Sequence, residues 1–189
     1  MPRSTALLIV LVLAAAQSQL CAVIAVVDQE NTGLTNSSYS LVSSTTPIGQ
    51  EFVPALNRVD AVELKVLGAT AAESALVNIR DGTITGPVLG SSAPLSLPAG
   101  LSFTTFDLLA PTPLTPGSVY VIELVALTLN VSIGGMSPGA YPPGRAIIHG
   151  NPDPSQDFWF REGIVPEPTG AAVLVGFSGS VLTIRRRRK

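Results

Sequence analysis

Apolar and polar residues alternate along the central part of the chain. In the segment Asp60–Leu67, Val62, Leu64 and Val66 are separated by residues of other types. Successive side chains of a β-strand point to opposite faces, so this spacing indicates a strand that buries one face. Between residues 26 and 164, no segment keeps apolar residues at helical spacing over three turns. The sequence therefore predicts an all-β fold for this region.

Similar segments recur between short turn sequences that contain glycine and proline. They comprise residues 75–80, 102–108, 118–127 and 158–161. The segment at residues 118–127 is apolar enough to predict a central, buried strand. Short strands separated by such turns are typical of a sandwich or barrel. We predict about eight to ten strands in a two-sheet, jelly-roll-like β-sandwich that forms a single domain at residues 26–164.

The composition excludes an intrinsically disordered chain, because 46% of the residues are hydrophobic and only 13% are charged. Disorder requires low hydrophobicity and high net charge. Five of the 11 basic residues are the last five of the chain. Residues 26–164 hold five basic and twelve acidic side chains, which gives this region a net charge of −7. Phosphate binding needs a basic surface, so the sequence predicts no binding to nucleic acid.

Side chains that carry catalysis or bind metals are scarce. The one cysteine, Cys21, lies in an N-terminal apolar segment, and the one histidine is His149. Two-histidine metal sites are therefore excluded, and so are thiolate sites and disulfides once that segment is removed. His149 lies near Asp153, but no Gly-x-Ser-x-Gly elbow precedes a helix and the chain has no second histidine, so a surface or capping histidine is the favoured interpretation. We expect no catalytic residues, and a hydrolase is only a remote alternative.

Residues 1–25 have the three parts of a secretory signal peptide. Arg3 supplies a positive start, Ala6–Ala16 is wholly apolar, and small residues follow. Cleavage after Ala16 and cleavage after Ala25 both fit the pattern. We predict an N-terminal signal helix, with an uncleaved membrane anchor as the alternative.

The end of the chain also has three parts. The first part is a short motif of Val165, Pro166, Glu167 and Pro168, and the second is an apolar segment at residues 171–184. The third part is a basic end of Arg185, Arg186, Arg187, Arg188 and Lys189. The apolar segment is shorter than the roughly 20 residues of a membrane-spanning helix, but flanking residues extend it and arginine side chains can snorkel. Clustered basic residues stay cytoplasmic. The sequence therefore predicts a C-terminal transmembrane helix with a stop-transfer end.

Together with the signal peptide, this ending resembles the PEP-CTERM protein-sorting signal of Gram-negative bacteria that carry an exosortase. Residues 165–168 match the motif, residues 171–184 the transmembrane part and residues 185–189 the basic end. The resemblance implies export, transient anchoring in the inner membrane, recognition and processing by an exosortase, and delivery to the cell envelope, the surface or an extracellular polymer matrix. The body is similar to β-sandwich domains that precede such tails, a group with no common activity.

The polar loop at residues 151–157 is the best candidate for a ligand site in the body. Asp153 and Asp157 could hold a calcium ion, but the EF-hand pattern is missing and a turn stiffened by proline is favoured. We therefore predict no metal and no cofactor. Tyr141 and Trp159 could stack on sugar rings, although alternation puts Trp159 on the face opposite its two phenylalanine neighbours and burial of all three rings is favoured.

These observations predict an exported, non-catalytic protein of the cell envelope or extracellular matrix. Its expected partners are an exosortase, the inner membrane for a limited time, and an extracellular polysaccharide. The alternative is a secreted carbohydrate-binding module that uses the region between residues 141 and 160.

Overall fold

The computed structural model describes residues 23–41 and 46–166, and all regular structure within them is β-strand. The fourteen strands of these residues are β1 (Val26–Asn31), β2 (Ser37–Leu41), β3 (Ile48–Phe52), β4 (Arg58–Gly68), β5 (Ser74–Asp81), β6 (Val88–Ser91), β7 (Leu95–Ser96), β8 (Gly100–Pro113), β9 (Tyr120–Ala126), β10 (Val131–Met136), β11 (Ala146–Ile148), β12 (Asn151–Asp153), β13 (Asp157–Phe158) and β14 (Phe160–Ile164). The prediction of an all-β body is confirmed.

The strands form two antiparallel sheets, as expected for a β-sandwich. Sheet A has the order β1-β14-β4-β10-β13, with β2 beside β10 and β8 beside β4. Sheet B has the order β12-β11-β3-β9-β5-β6, with β7 beside β5. The predicted central strand at residues 118–127 corresponds to β9, which lies between β3 and β5 and is buried over its first five residues.

The core contains the apolar face that alternation predicted for β4. Val62, Leu64 and Val66 are fully buried. They belong to one cluster with side chains from sheet B, among them Phe52 and Ile79. Burying a side chain of this size contributes about 1.5–3 kcal/mol, so this shared core is what holds the sheets together.

The chain changes partner strand at Trp159. The strand before it, β13, pairs with β10, whereas β14 pairs with β4. The Trp159 N–H donates a hydrogen bond of 3.0 Å to the carbonyl of Gly134 between these two pairings. Phe158 and Phe160 are fully buried in the core and Trp159 is 6% exposed, so the predicted burial of all three rings is confirmed.

The two ends of the body lie side by side in sheet A. β1 pairs with β14 from Val26 opposite Ile164 to Asn31 opposite Phe160. The Ala25 N–H donates to the Ile164 carbonyl at 3.0 Å. The predicted signal helix, apart from residues 23–25, and the predicted transmembrane helix lie outside the described residues. Within the described residues, no helix is long and apolar enough to cross a membrane.

Gly49 in β3 is required by the close approach of β9. A Cβ atom at this position would lie 2.6 Å from the Ile122 carbonyl oxygen and 2.9 Å from side-chain atoms of Ile84 and Val121. We expect Gly49→Ala to lower the free energy of unfolding by about 1–3 kcal/mol, because the backbone of β9 cannot move away from the added methyl group at low cost. Urea denaturation measures the change.

Gly33→Ala is the matched control for this prediction. Its added Cβ would meet only the flexible end of Met136, at 3.1 Å from the sulfur, and that end can move away. Equal stability of the two variants would show that the β3–β9 contact is not tight.

Candidate functional site

The structure brings Tyr141 and Asp157 together, as two of the predicted ligand residues. Both border an open pocket of ≈ 340 Å³ that is otherwise lined by residues 139–145 and Pro154. The two side chains themselves are buried, with 7% and 3% of their surfaces exposed. They therefore form the floor of this pocket rather than its rim.

Both oxygens of Asp157 accept hydrogen bonds from within the protein. One accepts from Gln50 Nε2 at 2.9 Å, and the other accepts from the Tyr141 N–H at 2.8 Å. The Tyr141 hydroxyl donates to Gln29 Oε1 at 2.9 Å and accepts from the Val53 N–H at 3.3 Å. These contacts give the pair a structural role that joins the loop at residues 137–145 to both sheets.

Asp153 lies apart from that pair, at the surface. Its Oδ1 accepts hydrogen bonds from the Ser155 N–H at 2.9 Å and from the Ser155 hydroxyl at 2.7 Å. These two bonds hold the pKa of Asp153 below its usual range, since they favour the charged carboxylate. The arrangement is the turn that the sequence favoured. Within residues 23–41 and 46–166, no group of three His, Asp or Glu side chains could hold a metal ion.

Sequence reasoning missed a buried carboxyl group on β14. Glu162 is fully buried, and neither of its oxygens has a hydrogen-bond partner among the described residues. Burial first, and then the nearby charge of Asp28, raise the pKa of Glu162 to about 9. The signal was present in the alternation, because Glu162 follows the core residue Phe160 by two positions and must share its face.

The same environment acts on Tyr141. Burial raises the pKa of its hydroxyl to about 12, the hydrogen bond from Val53 opposes this rise, and the carboxyl groups of Glu162, Asp28 and Asp157 add to it. We call Asp28, Tyr141, Asp157 and Glu162 the acidic cluster. Tyr141, Asp157 and Glu162 are buried, so the state of their polar groups bears on the stability of the fold.

Trp159 is covered by another aromatic ring that the sequence did not single out. The ring centroids of Trp159 and Phe103 are 4.6 Å apart, at an interplanar angle of 49°. Phe103 keeps 56% of its surface exposed. The region between residues 141 and 160 thus has its predicted stacking rings buried, and the exposed ring lies on β8.

Phe103 borders a second and larger groove, of ≈ 670 Å³. One side is the edge of β8 from Phe103 to Asp107, and the other side is the segment from Ala93 to Pro98, with Glu63 of β4 beside them. The sequence carried a signal for this exposed ring, because Phe103 and Phe106 are three positions apart on one strand and cannot both face the core.

His149 lies at the tip of the hairpin between β11 and β12. Its φ of 52° and the φ of 81° at Gly150 are those of a tight two-residue hairpin turn. Its side chain is exposed, and its carbonyl accepts from Asn151 Nδ2 at 3.2 Å. The structure therefore places the histidine at a surface turn.

Of the sorting motif, only the first two residues are described. The Val165 N–H donates to the Asp60 carboxylate at 3.2 Å, and Pro166 is exposed. Glu167, Pro168 and the basic end at residues 185–189 lie outside the described residues.

Comparison with known proteins adds no assignment to this geometry. No protein-family model matches the chain. No curated protein sequence matches it significantly.

Proposed function

We propose that the chain is an exported, non-catalytic protein of the cell envelope or extracellular matrix, sorted and processed by an exosortase. The proposal rests on the signal-like N-terminus, on the ending at residues 165–189, and on the way in which the body ends. β14 ends at Ile164, and Val165 and Pro166, the first two residues of the predicted motif, follow directly after the strand.

The observation that carries the proposal is the pairing of β1 with β14. This pairing fixes the last strand of the body up to Ile164, so a processing enzyme would meet a folded boundary immediately before Pro166. The two prolines of the motif disfavour helix at that position, so from the sequence we expect an extended segment between the body and the apolar part. An extended, accessible segment is what a membrane-embedded enzyme can recognise.

We further propose that the sandwich is of the jelly-roll type. The chain passes from β2 in sheet A to β3 in sheet B, returns to β4 in sheet A, and repeats this crossing between later strands. Repeated crossing between two antiparallel sheets is usual in sandwiches built from Greek keys. Such bodies serve as stable modules on which surfaces for partners can vary.

Replacement of Pro166, Glu167 and Pro168 with alanine should leave the body folded and stop its release from the inner membrane. The expectation follows from the loss of the extended segment, since three alanines favour continuation of a helix. In a Gram-negative host that carries an exosortase, intact-mass measurement of membrane, envelope and medium fractions follows the protein. The parent chain should lose its tail near Pro166, and the variant should keep residues 185–189.

The chain offers a matched control in Pro152, Asp153 and Pro154, another acidic residue between two prolines. Alanine at these three positions should leave processing as in the parent chain. Normal release of the Pro166–Pro168 variant, or a released parent protein that still carries the basic end, would refute the proposal.

A further inference from the structure

The ring of Phe103 is exposed although its strand, β8, is extensively paired within sheet A. β8 pairs with β4 through ten residue pairs, and Phe103 lies opposite Lys65 on the outer face. Phe103 keeps 56% of its surface exposed. Its ring borders a groove and is therefore available for a contact made outside the core.

Two neighbours hold this ring in a fixed orientation. Trp159 packs against it with a centroid separation of 4.6 Å and is itself almost fully buried. The Lys65 ammonium lies 5.3 Å from the ring centroid, within the range of a cation–π contact. A ring that is already ordered loses little side-chain entropy when a ligand covers it.

The groove beside the ring combines apolar and hydroxyl-bearing walls. Its ≈ 670 Å³ falls within the range of small-ligand sites, about 300–1,000 Å³. The lining residues are Pro94, Leu95 and Pro98 on the apolar side, Ser96, Thr104 and Thr105 with hydroxyl groups, and the carboxylates of Glu63 and Asp107. Glu63 also pairs with Arg161, at 3.6 Å from its Nη1.

We propose that this groove binds a segment of a neutral polysaccharide, with one sugar ring stacked on Phe103. The apolar C–H face of a sugar suits an exposed aromatic ring, and its hydroxyl groups suit the hydroxyl groups of Ser96 and Thr105 and the carboxylates along the groove. The site lies on β8 and β4, away from the region between residues 141 and 160. Saccharide binding at this groove would be a property of the body alone, so it does not depend on the sorting proposal.

The charges and polarity of the lining argue against other occupants. The lining holds two carboxylates and no basic side chain, and the nearby Arg161 is already paired with Glu63, so an acidic polysaccharide or a nucleic acid is disfavoured. An apolar peptide would bury the carboxylates and hydroxyls of the groove without enough hydrogen-bond partners, which is costly. A neutral ligand with many hydroxyl groups satisfies both the ring and the polar wall.

Trp159 provides a reporter, because it is the one tryptophan of the chain and contacts Phe103. The test titrates the purified full chain in detergent with cello-, chito- and malto-oligosaccharides of about six units, a length that fills a groove of this size class. Tryptophan emission and isothermal calorimetry follow binding. We expect at least one of the three probes to bind and to shift the emission of Trp159.

Variants of Phe103 separate stacking from simple burial. Phe103→Ala and Phe103→Leu should weaken binding by about tenfold or more, since both remove the aromatic face, whereas Phe103→Tyr should retain it. Leu129→Ala, at a side chain that is 69% exposed elsewhere on the body, should bind like the parent. Thermal unfolding confirms that each variant is folded.

Three results would overturn the proposal. The first is no binding of any of the three probes at millimolar concentration. The second is binding that Phe103→Ala leaves unchanged, which would place the saccharide elsewhere. The third is retention of binding by Phe103→Leu, or a dimer that Phe103→Ala dissociates, because these would identify an apolar contact or a second copy of the chain as the occupant.

Discussion

Glu162→Gln is expected to raise the free energy of unfolding by about 3 kcal/mol at pH 7, because each unit of pKa difference between folded and unfolded states is worth about 1.36 kcal/mol. In the folded protein burial and the charge of Asp28 raise the pKa of Glu162 to about 9, from 4.5. The folded state must therefore keep a proton at pH 7 that the unfolded chain releases. Glutamine fills the same space and does not titrate.

The sign of the pH dependence follows from the same difference. Between pH 4.5 and about 9, the folded state of the parent holds more protons at Glu162 than the unfolded state does. The contribution of Glu162 to the free energy of unfolding is therefore complete below pH 4.5, and it is lost as the pH rises towards 9. The gain from Glu162→Gln should be small at pH 4 and should grow towards pH 9. Urea denaturation at pH 4, 7 and 8.5 measures it.

Glu30→Gln on the neighbouring strand is the control. Glu30 has 46% of its side chain exposed and pairs with Arg161 at 3.2 Å, so its loss should change stability by less than about 1 kcal/mol at every pH. If the stabilities of the parent and of Glu162→Gln ran parallel from pH 4 to 8.5, Glu162 would not be held in its protonated form.

The position of Asp28 explains why this pair matters for β1. Its carboxylate accepts hydrogen bonds of 2.9 Å from the N–H groups of Ala55 and Leu56, which attach β1 to the segment after β3. Ionisation of Glu162 would place a second negative charge beside Asp28 in a site shielded from water. The expected consequence is a weaker attachment of β1, and hence of the strand β14 that it pairs with.

The pattern of residues predicted several strands of the core but not β3 or β10, which contribute Ile48 and Ile133 to it. The apolar composition of β9 indicated its central position, and alternation identified the inward face of β4 and the opposite orientation of Trp159 relative to its neighbours. The last two depend on the period of two within one strand, which is a local property of the sequence.

Alternation could not predict which strands pair, because that depends on contacts between distant parts of the chain. The amide of Gln50 and the carboxylate of Asp157 are 107 positions apart, and the Phe103 groove forms where the segment from Ala93 to Pro98 faces β8. The sequence proposed Tyr141 and Asp157 as candidate ligand residues, and the structure shows both side chains buried. Their burial and their role in joining the sheets required the fold.

Gln50→Leu is expected to lower the free energy of unfolding by about 2–5 kcal/mol. The substitution removes a side chain that makes buried hydrogen bonds from one sheet to the other, and it creates no cavity. Gln50 is 1% exposed on β3 of sheet B. Its Nε2 donates to Asp157 at 2.9 Å, and its Oε1 accepts from the Phe158 N–H at 2.7 Å on β13 of sheet A. Leucine has a similar size but offers neither a donor nor an acceptor, so a buried carboxylate oxygen loses its partner.

Gln156→Leu makes the same chemical change at the residue that precedes Asp157 in the chain and is the matched control. The Oε1 of Gln156 is buried and has no hydrogen-bond partner among the described residues, so its removal should cost less than about 1 kcal/mol. Urea denaturation of the two variants at pH 7 compares these costs directly. A loss for Gln50→Leu no larger than that for Gln156→Leu would mean that the apolar core alone holds the two sheets together. We expect the larger loss for Gln50→Leu because it leaves the buried carboxylate of Asp157 without one of its hydrogen-bond partners, and an unsatisfied buried polar group is costly.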